Sequence, residues 1–365
     1  MKVLTSCQRQ VWRWTLVSGC AISSLSAQTT QLGVSGGNVH DSSGQFCCAG
    51  ALGALVSDGS KQYILSNNHV LGLIGRASIG DDVTQPGLRD NDCKPGRTVA
   101  RLTLSLPLSA SSTSQQFDAA IAEVVAGQID RTGSITNIGI PGSLIVAPSK
   151  NLRVTKMGPS SGVTTGVIDQ TVVNANIDYS SPCSPEPITI PLTNLVLIIG
   201  DNAQPFSSAG DSGSLVVTAT AHNPVGLIIA GNDENQSLAH PIAPLLKSLS
   251  AALKQDVSVV ASRPNTFTAS AQSLAVMSPE YKRLLDAKDL LWAKVRNLSA
   301  VVAVGVEPRP DNPSFFQLVV YVEKGKLSDL AGKDFFGFKV PAQPVSSMSV
   351  GHLVRIVEAD RFKAH

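Results

Sequence analysis

Between residues 50 and 258 the chain alternates short apolar runs with clusters of Gly, Pro, Asn, Asp and Ser. The runs are Ala51–Val56, Tyr63–Leu65, Val99–Leu108, Ala119–Val125, Ser143–Ala147, Val167–Val173, Leu195–Ile199, Ser214–Thr218 and Val225–Ala230. Runs this short, divided by turn residues, predict strands of an all-β sandwich or barrel. Amphipathic helices between them would signal βαβ units, and none precedes Ile242–Leu253. The stretch 261–275 is rich in Ser, Thr, Asn and Ala and reads as a linker. Beyond it the period changes. Ser278 caps a helix with Pro279 at its first position and Glu280 at the positive end of the dipole. Tyr281, Leu284, Leu285, Leu291, Trp292 and Val295 form one helical stripe through Arg296. Strands Ala300–Val306 and Phe316–Val322, a short helix Leu327–Ala331 and a strand Leu353–Glu358 complete a small α+β unit, for which a ferredoxin-like sandwich is the expected fold.

Charge supports the same division. Residues 28–274 carry 13 basic and 17 acidic residues, whereas 275–365 carry 13 and 10 in a third of the length. The organisation expected is therefore 1–27 signal peptide, 28–260 β-rich domain, 261–275 linker and 276–365 accessory domain. The net charge of +2 offers no reason to expect a nucleic-acid partner. The 43% hydrophobic and 15% charged residues exclude a mainly disordered chain.

Lys2, Arg9 and Arg13 precede the apolar stretch Trp14–Ala27, with Ser26-Ala27 before Gln28 as a cleavage site. At about 14 residues the stretch falls short of the roughly 20 that span a bilayer, and no other segment is long enough. Secretion or periplasmic export follows. Val17-Ser18-Gly19-Cys20 is the competing lipoprotein reading, weakened by Arg13 close to Cys20. Export leaves Cys47, Cys48, Cys93 and Cys183 as disulfide candidates, with three possible pairings. A bridge between neighbours is strained, so Cys47 and Cys48 are expected to reach Cys93 and Cys183. There is no CxxC and no histidine at ligand spacing from a cysteine, so neither metal nor cofactor is expected.

Three segments place a polar residue at the edge of an apolar strand or in a glycine turn: Ile64–Val70 around His69, Phe117–Ile121 around Asp118, and Gly210–Leu215 around Ser212. A serine hydroxyl needs an adjacent general base. A histidine titrates in the right range, and a buried carboxylate fixes its tautomer. Glycines around Ser212 let the amides of Gly210 and Ser212 converge on one point as an oxyanion hole. Each feature alone has a bland structural explanation; their order and spacing do not. His69 precedes Asp118 by 49 residues and Asp118 precedes Ser212 by 94.

Residues 45–258 resemble a trypsin/chymotrypsin-like serine protease domain, in which His, Asp and Ser follow in this order about 45 and about 93 residues apart. Ile64–Leu71, Phe117–Val124, Gly162–Val167 and Ala209–Val216 are more closely similar to bacterial trypsin-like proteins related to plant narrow-leaf serine proteases. The resemblance implies a double barrel of two six-stranded sheets with the triad between them, and a serine endopeptidase acting on a peptide or protein substrate. It also places Phe206 at the base of the specificity pocket and Ile229-Ala230-Gly231 along its wall. No acidic residue stands there to pair a Lys or Arg side chain, so an apolar or small pocket is expected. The chain departs from the pattern twice. Val70 stands where many members have a cysteine, and no Ile-Val-Gly-Gly start is present, only Gly33-Val34-Ser35-Gly36-Gly37. Asp211 must then find a partner other than a new amino terminus. His40, His222, His240, His352 and His365 lie in the wrong places to be the base. Two matters stay open: an inactive protease-like fold that only binds peptides, and whether the C-terminal unit binds a partner, mediates an oligomer or covers the cleft.

Overall fold

A computed structural model describes residues 29–184, 186–262, 279–312, 315–335, 338–340, 347–350 and 354–364. The signal and lipobox segments, His352, His365 and all but the first two residues of the linker lie outside these. The architecture is a double β barrel. In the first sheet the order is Ser258–Val259, Ala54–Ser57, Gln62–Ser66, Ala120–Val124, Arg97–Ser105, Asp82–Gln85, Val34–Asn38 and Gly50–Leu52, all antiparallel. Gly53 alone separates the last of these from Ala54–Ser57, so the chain itself leads from one end of the sheet to the strand next to the other end. The corner requires glycine: a Cβ on Gly53 would lie 1.6 Å from the carbonyl oxygen of Gly213. The single apolar run expected at 51–56 is therefore two strands kinked where the loop carrying Gly213 presses in.

The second sheet begins as a ring of six. Arg153–Gly158, Leu215–Thr218, Pro224–Gly231, Gln236–Pro241, Ile188–Gly200 and Gly162–Tyr179 follow one another, and the last pairs back with the first. Gly162–Tyr179 and Ile188–Gly200 form a long hairpin. Three register shifts between Ile168 and Ala175 bend it out of the ring, as bulges do. Leu215, Val217 and Leu227 of the second barrel share an apolar cluster with Leu55, Ile64, Leu65 and Ile121 of the first. Helix Ile242–Leu253 closes that cluster with Ile242, Leu245, Leu246 and Leu249, the i, i+3, i+4, i+7 face of an amphipathic helix.

The C-terminal strands add to the second sheet. Val301–Pro308 pairs with the hairpin at Asn174 and Ala175, Phe316–Glu323 follows, and Val354–Ala359 lies parallel to it. Helix Pro279–Val295 covers them with Leu291, Trp292 and Val295. Lys288 on this helix is buried, and its ammonium meets Asn174 Oδ1 at 2.9 Å, Asn194 Oδ1 at 3.2 Å and Asp289 Oδ1 at 3.0 Å. These partners make burial of the charge tolerable and fasten the helix to the hairpin. A three-residue strand, Phe362–Ala364, ends the described chain between the hairpin and Pro224–Gly231.

Two disulfides tie the loops, Cys47–Cys93 and Cys48–Cys183. The second joins the first barrel to the hairpin tip, closing a loop of 135 residues; chain entropy makes such a link worth on the order of 5 kcal/mol. No described helix is long and apolar enough to cross a membrane.

Candidate active site

Strand Gln62–Ser66 ends where two asparagines peg the chain. Asn67 Nδ2 donates to the carbonyl of Asp118 at 2.7 Å, and Asn68 Nδ2 to that of Leu106 at 2.6 Å. A single helical turn, Asn68–Leu71, then carries His69. Its backbone N–H donates to Asp118 Oδ1 at 3.0 Å and its ring Nδ1 meets Asp118 Oδ2 at 2.5 Å. The carboxylate so fixes both the ring and the turn. An Nδ1–H given to a carboxylate leaves Nε2 as the accepting nitrogen.

Asp118 is fully buried and has two further neighbours that the sequence pattern does not reveal. Tyr179, the last residue of the hairpin strand, donates its hydroxyl to Asp118 Oδ2 at 2.9 Å. The Asp118 amide donates to His240 Nε2 at 2.8 Å. Burial alone would raise the Asp118 carboxyl, but the His69 ring and its two hydrogen bonds outweigh it and hold the group below its ordinary value. Burial, with Asp118 beside it, raises the Tyr179 phenol well above its usual range, so it stays a neutral donor. Burial pushes His240 down to about 4 against the pull of Asp118. At neutral pH this ring is therefore uncharged, as an acceptor must be.

Ser212 lies in the loop between the hairpin and Leu215–Thr218. Its carbonyl accepts from Ala51 N at 2.7 Å, and the Gly213 amide donates to Ile228 O at 2.9 Å. Gly210 and Gly213 have φ of +102° and +90°, open to glycine, and a Cβ on Gly213 would fall 2.1 Å from Ser66 Oγ. Ser66 is three residues before His69. The loop carrying Ser212 thus packs directly on the strand that leads into the His69 turn. The amides of Asp211, Gly213 and Ser214 are consumed by the carbonyls of Ser208, Ile228 and Asp211. Ser212 Oγ lies 3.3 Å from the Ile229 carbonyl.

Asp211 does find another partner. Lys156 Nζ meets Asp211 Oδ2 at 3.0 Å with both side chains wholly buried. Ser160 N, Ser208 N and Ser161 Oγ also donate to this carboxylate, at 2.9, 2.9 and 2.5 Å. Burial would lift it, but Lys156 and these donors prevail and keep it below the ordinary carboxylate range. The loop is held in shape by an internal lysine rather than by a new amino terminus.

A cleft of about 820 Å³ runs between the barrels, lined by His69, Tyr179, Ser207, Ser208, Gly210 and Gly231 among others. Of the four residues assigned to the specificity pocket, Gly231 faces this cleft. Phe206 does not: its ring is buried among Val154, Ile168, Val216 and Ile228 in the second barrel. The side chains of Ile229 and Ala230 are buried in the adjoining cluster. The position six residues before Ser212 does not determine which side of the backbone the ring takes, and here it takes the barrel interior. Asp41 lies with the sulfurs of Cys48 and Cys183 within 4.8 Å, but those sulfurs are bonded to each other and are not metal ligands.

Residues 112–242 match the model of the Nal1 C-terminal domain, a span that holds Asp118, Tyr179, Ser212 and His240. No curated protein matches the chain. Among solved structures it is similar to a glutamic-acid-specific serine protease that uses a histidine triad in substrate binding, at 14% identity and TM-score 0.41, over 63% of this chain and 100% of that one. It is similar also to Thermobifida fusca Protease A, at 15% and 0.40 over 64% and 100%, and to Cellulomonas bogoriensis chymotrypsin, at 14% and 0.38 over 64% and 100%.

Proposed function

We propose that the protein is a serine endopeptidase. Ser212 Oγ attacks the carbonyl carbon of a peptide bond while His69 Nε2 takes its proton. Asp118 stabilises the imidazolium that forms. The amides of Gly210 and Ser212 receive the oxyanion, and removing one such donor typically costs about 2.7–4 kcal/mol of barrier. The C–N bond then breaks as His69 returns the proton to the leaving amine. Water, deprotonated by the same ring, releases the acyl group from Ser212. The observation that carries this reading is the 2.5 Å contact of His69 Nδ1 with a buried carboxylate that a tyrosine also holds. A histidine serving only to fill space needs no such tautomer lock.

The buried Lys156–Asp211 pair supports a loop that forms without proteolytic activation. Val34–Asn38 is hydrogen-bonded on both edges, so a cut at Gly33–Gly37 would break the first barrel rather than free an end. The two disulfides support export to an oxidising compartment after removal of residues 1–27, which N-terminal sequencing of the native protein checks. The substrates are peptides or proteins. The Nal1 C-terminal domain match supports kinship with the bacterial trypsin-like proteins related to plant narrow-leaf proteases. A fluorophosphonate probe tests the reading: labelling of the wild-type chain and none of Ser212→Ala is expected. Equal labelling of both, or of neither, contradicts it.

A further inference from the structure

Strand Pro224–Gly231 brings Ile229 to Ser212, since the Ile229 carbonyl lies 3.3 Å from Ser212 Oγ. The next two residues, Ala230 and Gly231, continue the strand from there, and Gly231 lines the cleft. Their edge is occupied. Phe362–Ala364 pairs with it antiparallel, Ala364 opposite Ala230 and Lys363 opposite Gly231. On its other side the same strand pairs in parallel with the hairpin, Phe362 beside Ile177 and Lys363 beside Asp178. Asp178 is followed at once by Tyr179, which holds the triad carboxylate. The strand therefore runs between the nucleophile side and the acid side of the cleft. Its direction, antiparallel to a strand leaving Ile229, carries it toward Ser212. An extended peptide delivering its carbonyl to Ser212 along this edge would run in the same direction.

The strand is anchored as a ligand would be. Phe362 is 1% exposed, in the cluster of Ile177, Leu195, Ile229 and Ala230. Arg361 meets Glu323 at 2.7 Å and the Ser299 carbonyl at 2.5 Å, and Asp360 meets Lys324 at 3.0 Å. Lys363 and Ala364 line the same cleft as His69 and Gly210.

We propose that Phe362–Ala364 is an intramolecular occupant of the peptide-binding edge, and that a substrate must displace it to reach Ser212. This rests on the peptidase reading above. Main-chain pairing is sequence-tolerant, so the segment competes with any extended peptide. Being tethered, it competes at an effective concentration in the millimolar range. If the open form is 1–10% of the population, the apparent KM is raised by about 10–100-fold.

The test compares the full chain with a variant lacking residues 361–365 and with Lys363→Pro, which keeps Phe362 and Arg361 but removes one backbone donor. Three readouts are taken on each: fluorophosphonate labelling, KM for a peptide substrate, and binding of a fluorescein-labelled copy of residues 359–364. A KM lower by about 10–100-fold in both variants, with labelling unchanged, supports the proposal. Tight binding of the labelled peptide to the variants and not to the full chain supports it even if no chain hydrolyses peptides, which would count against the peptidase reading alone. Equal KM and equal peptide binding in all three chains overturn it while leaving the peptidase reading intact.

Discussion

The hydroxyl of Tyr179 donates to Oδ2 of Asp118 at 2.9 Å, the same oxygen that His69 Nδ1 approaches at 2.5 Å. The carboxylate is thereby shared between the first barrel, which supplies the histidine, and the hairpin of the second. Tyr179→Phe removes one hydrogen bond to a charged group, typically worth about 1.5–3 kcal/mol. A loss in kcat of about 10–100-fold with KM little changed is expected, against about 10⁴-fold for Asp118→Asn, which imposes the wrong tautomer. Steady-state kinetics on both variants checks this, and a KM effect alone in Tyr179→Phe would assign the tyrosine to packing.

Lys156→Met leaves Asp211 charged, buried and without its cation. Breaking a buried pair from one side costs about 3–5 kcal/mol. Thermal melts should show that loss, and fluorophosphonate labelling should fall because the amides of Gly210 and Ser212 are no longer held in place. Adding Asp211→Asn removes the orphaned charge and should restore most of the melting temperature. Absence of recovery in the double variant would mean that the pair is not the source of the effect.

Asp41 is buried, and that burial, opposed by His69 and Arg76, raises its carboxyl to about 6. A raised acid binds its proton more tightly in the folded chain. Its stabilising contribution is present below the ordinary value near 3.8 and is lost as pH rises through about 6. The span corresponds to on the order of 3 kcal/mol. Melting temperatures of the wild type should therefore fall, relative to Asp41→Asn, between about pH 4 and 6, with a constant gap above. Parallel curves across that window would remove Asp41 as the titrating group.

How far the sequence could be read depends on where the information lies. Helix Ile242–Leu253 was legible because four apolar residues repeat at helical spacing, and it forms where expected. The helix beginning at Pro279 ends at Val295, one residue short of the stripe read from the sequence. Residues 143–147 form no strand although they are apolar. Pro141-Gly142 and Pro148 bracket them, Leu144 and Ile145 are exposed, and Val146 N donates to Pro224 O at 2.9 Å. The short strand Phe362–Ala364 carries no pattern at all, because its partners lie more than 130 residues away. Tyr179, His240 and Lys156 were missed for a related reason. Each is a single polar residue in a strand, and only the closed barrels bring it to Asp118 or Asp211. The order and spacing of His69, Asp118 and Ser212 were legible because they follow a linear order along the chain.

Whether His69 serves Ser212 is decided by comparing Ser212→Ala, His69→Ala and the double variant in kcat/KM, with a pH–rate profile of the wild type. Residues that act as one unit lose their function together. The double variant should be little worse than either single one, and wild-type activity should rise along a one-proton limb between about pH 6 and 8. Strictly additive losses, or a profile flat from about pH 5 to 9, would mean that the two side chains do not work as base and nucleophile.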